Sequence, residues 1–237
     1  MAKEVIIALD FGGAAEAFEF LNEFRNLGRK PYVKVGMELF YSAGPDLVRE
    51  LKNRGFSVFL DLKLHDIPNT VRQAMASLSG LGADMVNLHA AGGSEMMRAA
   101  LEGLSADTKA ARPILIAVTQ LTSTSEETLR NELLIGSGME ETVLSYARNA
   151  LASGLDGVVC SPLESAGIKR VCGGDFLTVT PGVRFAEGST DDQKRVTTPA
   201  QAAENGSDYI VVGRPITKAD DPIAVYERCV LEFLGNA

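Results

Sequence analysis

Residues 58–71 read VFLDLKLHDIPNTV, and Asp61, Lys63 and Asp66 are charged within an otherwise apolar stretch. Two carboxylates flanking an ammonium have a chemical use. A fixed ammonium can stabilise negative charge as it develops and then deliver a proton, while the carboxylates orient it. A surface ion pair at a strand end would use the same residue types, so the decision rests on where the neighbouring elements put them. A second lysine, Lys34, stands in YVKVG (32–36), and Asp10 closes VIIALD (5–10). Two carboxylates and two ammonium groups drawn out of water must pair with one another. An alternating chain Lys34, Asp61, Lys63, Asp66 would meet that condition.

The elements that would position these residues are short apolar runs rich in Val, Ile and Leu. They are VIIAL (5–9), YVKVG (32–36), SVFLDLK (57–63), MVNLHA (85–90), ILIAVT (114–119), GVVC (157–160), FLTVT (176–180) and YIVVG (209–213). Segments of helical spacing lie between them. AAEAFEFLNEFRNLG, PNTVRQAMASLSGLG and EETVLSYARNALASG each close on a glycine stop, and Asp221-Pro222 makes a cap and first turn for a last helix over about 222–234. No linker, charge block or low-complexity tract divides the chain. Eight strand–helix units in 237 residues predict an α/β fold, a (β/α)8 TIM barrel forming a single domain over 1–237. A doubly wound open sheet is the alternative, but it usually carries fewer strands in this length, and the first turn, DFGGAAE, lacks the GxGxxG spacing often found there.

Strand periodicity then sorts the faces, because residues i, i+2 and i+4 point the same way. Ile6, Ala8 and Asp10 share one face; so do Tyr32, Lys34 and Gly36; Phe59, Asp61 and Lys63; and Met85, Asn87 and His89. In all four strands the polar groups gather at the C-terminal end of the inner face, which in a barrel is the mouth where active sites are built. His89 is read as a hydrogen-bonded structural histidine in preference to a catalytic one.

The segment TPGVRFAEGSTDDQKRVTTP predicts a loop of about fifteen residues before the next helix, and loops of that length in a compact domain are usually functional. It carries Arg184 and Gln193. The last strand ends in Gly213-Arg214-Pro215, with the glycine allowing close backbone approach. The loops after strands seven and eight are the usual phosphate address in such barrels, and arginine offers a bidentate fork for phosphate. A phosphorylated small molecule is the expected ligand.

Composition narrows the alternatives. A net charge of −8 argues against nucleic acid as the main partner. Two histidines, and three cysteines (Cys160, Cys172, Cys229) without ligand spacing, argue against a zinc enzyme and fit a reducing compartment. The N-terminus MAKEVIIALD is too short in apolar residues for a signal peptide or a membrane span, so the expectation is a soluble cytoplasmic protein.

DLKLHDIPNT resembles the signature of the orotidine 5′-monophosphate decarboxylase family, D-x-K-x-x-D followed by Ile/Val, Pro/Gly, any residue and Thr. Asp61, Lys63, Asp66, Ile67, Pro68 and Thr70 all match it. ALD (8–10), YVKVG (32–36), VTQLTS (118–123), PGVR (181–184) and VVGRPI (211–216) extend the resemblance along the chain, in the manner of the compact bacterial branch. The resemblance implies decarboxylation of orotidine 5′-monophosphate to uridine 5′-monophosphate in de novo pyrimidine biosynthesis, without cofactor or metal. It implies a network of Lys34, Asp61, Lys63 and Asp66 with Lys63 as proton donor, and a homodimer in which Asp66 and Thr70 reach the neighbouring subunit's site. It further implies that Asp10 and Lys34 hold ribose hydroxyls, assisted by Asp66 and Thr70. Thr122 would contact the pyrimidine, Gln193 would bridge ring and phosphate, and Arg184, Gly213 and Arg214 would grip the phosphate. Two other readings stay open: a Mg²⁺-dependent sugar-phosphate decarboxylase or aldolase of the same superfamily, sharing D-x-K-x-x-D, and a non-catalytic barrel that binds a phosphorylated ligand.

Overall fold

The computed structural model describes residues 3–105, 111–185 and 197–235. The eight apolar runs form strands within a residue of the expected bounds at each end: β1 (Glu4–Ala8), β2 (Tyr32–Gly36), β3 (Ser57–Leu64), β4 (Met85–His89), β5 (Ile114–Val118), β6 (Gly157–Val159), β7 (Leu177–Pro181) and β8 (Tyr209–Val212). Each pairs in parallel with the next, and β8 returns to β1 through Glu4↔Tyr209 to Ile7↔Val212, closing the expected barrel. Strands covered on both faces need apolar residues on both, which explains the continuous runs. One alternate set fills the bore, with Ile6, Tyr32, Phe59, Met85, Leu177 and Tyr209 among its members. Tyr32 and Tyr209 meet edge to face there, ring centres 6.1 Å apart. The other set, including Val5, Ile7, Val33, Val58 and Leu60, packs under the helices.

The helices depart from expectation in detail. α1 (Ala14–Glu23) ends early and tightens into a 3-10 turn over Phe24–Asn26. Between β2 and β3 the chain makes two helices, α2 (Met37–Ala43) and α3 (Pro45–Asn53), broken where Gly44 takes φ +74° and Pro45 opens the second. α4 (Pro68–Ser79) and α5 (Gly93–Leu104) follow β3 and β4. They approach so closely that a Cβ on Gly103 would lie 2.2 Å from the Arg72 carbonyl oxygen. The remaining helices are α6 (Glu126–Asn131), α7 (Met139–Ala152), α8 (Ser165–Cys172), α9 (Pro199–Glu204), α10 (Arg214–Thr217) and α11 (Pro222–Leu234). Asp221 caps α11 as expected, its Oδ1 accepting from the Ala224 N–H at 3.0 Å.

The N-terminal end of the barrel is closed by a repeated device. Asp84, Asp156 and Asp208 each precede an even-numbered strand and follow a glycine of positive φ two residues earlier: Gly82, Gly154 and Gly206. Each carboxylate accepts the N–H of the second residue of the preceding odd strand, from Val58, Leu115 and Thr178 at 2.7, 2.7 and 2.8 Å. Each also pairs with one cation, Lys52, Arg112 or Lys169, at 2.6 Å.

Candidate active site

The charged residues expected at the C-terminal mouth converge there in a chain. Lys34 on β2 places Nζ 3.3 Å from Asp10 Oδ1, just past β1, and 3.3 Å from Asp61 Oδ2 on β3. Asp61 Oδ1 in turn accepts from Lys63 Nζ at 2.6 Å. The array is therefore Asp10–Lys34–Asp61–Lys63. Asp61 is 7% exposed, and burial by itself would push its carboxyl up. Lys34 and Lys63, with hydrogen bonds from Lys63 and Asn87, outweigh burial and hold it below the usual carboxylate range. Burial likewise pulls Lys34 down, but Asp61 and Asp10 together leave it above the ordinary lysine value. Gly36 makes room for this: a Cβ there would stand 3.2 Å from Lys34 Nζ.

Lys63 reaches the array by a different route from simple alternation. Its φ is +53°, a left-handed conformation that costs a residue with a Cβ about 1–3 kcal/mol. The β3–β4 register jumps here, from Leu60↔Val86 to Leu64↔Leu88, so β3 carries extra residues across the site. Asn87, 1% exposed, bridges the irregularity. Its Oδ1 accepts the Lys63 backbone N–H at 2.8 Å, and its Nδ2 donates to Asp61 Oδ1 at 2.6 Å. Sequence periodicity put Asn87 on the inner face but gave it no role; an asparagine in the middle of an apolar barrel strand was the available signal.

A cavity of about 390 Å³ opens above the array. Asp10, Lys34, Asp61 and Lys63 line it together with Thr122, Arg184, Gly213 and Arg214, over a floor that includes Phe59 and Val179. Four cationic and two anionic side chains thus face one space in a chain whose net charge is −8, a local balance suited to an anionic ligand. Arg184 is 8% exposed; its Nη1 donates to the Val183 carbonyl at 2.9 Å and its backbone N–H to Thr197 O at 3.0 Å. Gly213 lies close under Ala8 and Asp10, where a Cβ would come within 3.4 Å of both. Gln120 also lines the cavity and was not anticipated.

Two expected residues are not brought to this space. Asp66 and Thr70 are exposed and do not line the cavity; Asp66 Oδ1 accepts from the Ile67 N–H at 2.6 Å, and Ile67 itself is 66% exposed. Within one chain the alternating charges therefore run from Asp10 to Lys63 and stop short of Asp66. Gln193 lies outside the described residues. His89 stands beside His65, ring centres 5.6 Å apart. Burial first, then His65 and Lys63, hold His89 below the ordinary histidine value, with Asp61 opposing. Among the described residues no group of three or more His, Cys, Asp or Glu side chains could hold a metal ion, and no helix is long and apolar enough to cross a membrane.

Comparison with known proteins agrees with this geometry over nearly the whole chain. The family model described as "Orotidine 5'-phosphate decarboxylase / HUMPS family" matches residues 3–229. The orotidine 5′-phosphate decarboxylase of Geobacillus sp. (strain WCH70) is 57% identical over 233 residues, covering 98% of this chain and 97% of that protein. That of Bacillus cytotoxicus is 56% identical over 237 residues, covering 99% of each. Among solved structures, orotidine 5′-phosphate decarboxylase from Lactobacillus acidophilus superimposes with a TM-score of 0.87 at 46% identity, covering 99% of this chain and 100% of that one. A family match over residues 3–229, full-length identity above one half and a solved relative of the same fold leave a single assignment: the chain belongs to the orotidine 5′-phosphate decarboxylase family of enzymes.

Proposed function

We propose that the chain decarboxylates orotidine 5′-phosphate to uridine 5′-phosphate, with Lys63 as the proton donor. The observation that carries this reading is the Asp10–Lys34–Asp61–Lys63 array sharing one cavity with Arg184 and Arg214. In the reaction the bond from C6 to the carboxylate breaks, CO₂ leaves, and the electron pair stays on C6. No adjacent carbonyl can absorb that pair. A cation fixed beside C6 stabilises it as it develops, and a proton passes from the Lys63 ammonium to C6. Lys63 then recovers a proton from solvent. Asp61 serves chiefly to fix Lys63, and its charge lies near the departing carboxylate.

The remaining roles are those the family resemblance implies, and Asp10, Lys34, Thr122, Arg184, Gly213 and Arg214 line the cavity. Arg184, Arg214 and the backbone at Gly213 take the phosphate, Thr122 the pyrimidine, and Asp10 and Lys34 the ribose hydroxyls; Gln193 is assigned to bridge ring and phosphate. Binding energy from the phosphate, remote from C6, is then available to order the reacting groups. Relatives named orotidine 5′-phosphate decarboxylase at more than half identity favour this nucleotide over the sugar phosphates of other barrels that share D-x-K-x-x-D. A cytoplasmic place in de novo pyrimidine biosynthesis belongs to the same reading.

Lys63→Ala is the direct test. Turnover of orotidine 5′-phosphate should fall by at least about 10⁴-fold, while uridine 5′-phosphate still binds. Near-normal turnover would remove Lys63 from its role. We further propose the homodimer with composite sites that the resemblance implies; its support here is that Asp66, Ile67 and Thr70 are exposed and that Asp66 and Thr70 lie outside their own chain's cavity. Mixing an Asp10 variant with an Asp66 variant should restore activity through hybrids with one intact site. No recovery on mixing would count against shared sites.

A further inference from the structure

Deepening the proton-donor reading above, on which it rests, we propose that Asn87 is the positioning residue for Lys63. Three observations converge on its side chain. First, Lys63 sits at φ +53° on the segment where β3 outruns β4, so its N–H has lost the regular ladder acceptor. Asn87 Oδ1 supplies the replacement at 2.8 Å. Second, Asn87 Nδ2 donates to Asp61 Oδ1 at 2.6 Å, the same oxygen that receives Lys63 Nζ at 2.6 Å. Third, the amide is 1% exposed, so neither bond can be replaced cheaply by water.

The result is a closed circuit. It runs from the Lys63 N–H through the asparagine amide to the Asp61 carboxylate and back to the Lys63 ammonium. One amide therefore fixes both ends of the same lysine, its backbone directly and its head through Asp61. The amide's orientation is dictated, since the N–H needs the oxygen and the carboxylate needs the NH₂. Asp61 Oδ2 is meanwhile committed to Lys34 at 3.3 Å, which leaves Asn87 as the group that sets how Oδ1 presents to Lys63. A misplaced ammonium costs rate without costing affinity, because the phosphate, ribose and pyrimidine contacts lie elsewhere in the cavity.

Two substitutions separate the arms. Asn87→Asp keeps shape and the acceptor for the Lys63 N–H but replaces the amide donor by a second carboxyl against Asp61, which must repel it or share a proton with it and in either case alters the charge Asp61 presents to Lys63; Asn87→Leu deletes both hydrogen bonds. We expect kcat on orotidine 5′-phosphate to fall about tenfold for Asn87→Asp and about 10²-fold for Asn87→Leu, the scale of a small displacement of a reacting group. Calorimetric affinity for uridine 5′-phosphate should stay within about threefold of wild type in both, the split between chemistry and binding that a merely structural role would not produce. Asn87→Asp decides the matter whether or not Asn87→Leu folds. Wild-type kcat in that variant, or a loss of affinity as large as its loss of kcat, overturns the inference. Lys63→Ala run alongside tells two failures apart. If it retains turnover, the proton-donor reading has failed; if it abolishes turnover while Asn87→Asp is unchanged, only the role of Asn87 has.

Discussion

At the N-terminal end of the barrel, Asp84, Asp156 and Asp208 each meet one cation and one strand N–H; at the C-terminal end, Asp61 meets two lysines and a buried amide. The residue types are nearly the same and the consequences differ. The lower carboxylates are 20–38% exposed along their side chains and stand where a loop enters a strand. Their hydrogen bonds tie each even strand to the odd strand before it. Asp61 has a side chain 10% exposed and lines a cavity with its partners. A carboxylate satisfied by one cation and the backbone is a staple. One shared between two ammonium groups, with one of them aimed at a cavity, is machinery for holding charge in a chosen place.

Neutralising one carboxylate at each end is the sharpest way to break that contrast. Asp61→Asn leaves Lys34 and Lys63 without their common counter-ion, and turnover should fall by about 10³-fold or more. Asp156→Asn loses a charged partner for Arg112 and weakens the bond from the Leu115 N–H. The pair is partly open to water, which limits its worth, so the expected cost is about 1–2 kcal/mol of stability. For a chain of this size that is a drop in Tm of roughly 2–8 °C, with kcat unchanged. Thermal denaturation and steady-state kinetics on both variants check the pair. A large loss of kcat in Asp156→Asn, or an active Asp61→Asn, would collapse the distinction between the two ends.

How much of this could be read in the sequence follows the same division. Strand runs, closure and the inward set Asp10, Lys34 and Asp61 were legible because apolar continuity and period-two alternation are local properties. Lys63 was placed on the correct side for an incomplete reason. Alternation assumes an unbroken ladder, whereas the structure brings Lys63 in through a left-handed residue and a register jump. No local pattern announces such a jump, since its partner Asn87 lies 24 residues further on. The Gly-x-Asp triplets at 82–84, 154–156 and 206–208 were visible as text, but their meaning depends on carboxylates reaching a neighbouring strand. Asp66 matched a family signature, and its exposed position outside the cavity could be learned only from the fold. Gly44-Pro45 is a helix break readable in the sequence, where eight simple strand–helix units would put a single helix.

The smallest effect expected concerns His89, and it separates two groups at the C-terminal end by pH. His89 is held below its ordinary value by burial, His65 and Lys63 against the pull of Asp61. The folded protein therefore keeps it neutral where the unfolded chain, with a histidine pKa of about 6.5, already binds a proton. The stability this confers is complete above that value and is lost as pH falls through the depressed folded one. Asp61 adds its own acid dependence, but a carboxyl held below its ordinary value loses its contribution only at still lower pH. The histidine window opens near pH 6.5 and that of Asp61 only near or below about pH 4. His89→Gln should therefore flatten the fall in Tm between about pH 7 and pH 5 while leaving the steeper acid limb in place. Equal slopes in the two proteins would mean that acid weakens the molecule through groups other than this histidine beside the charged mouth.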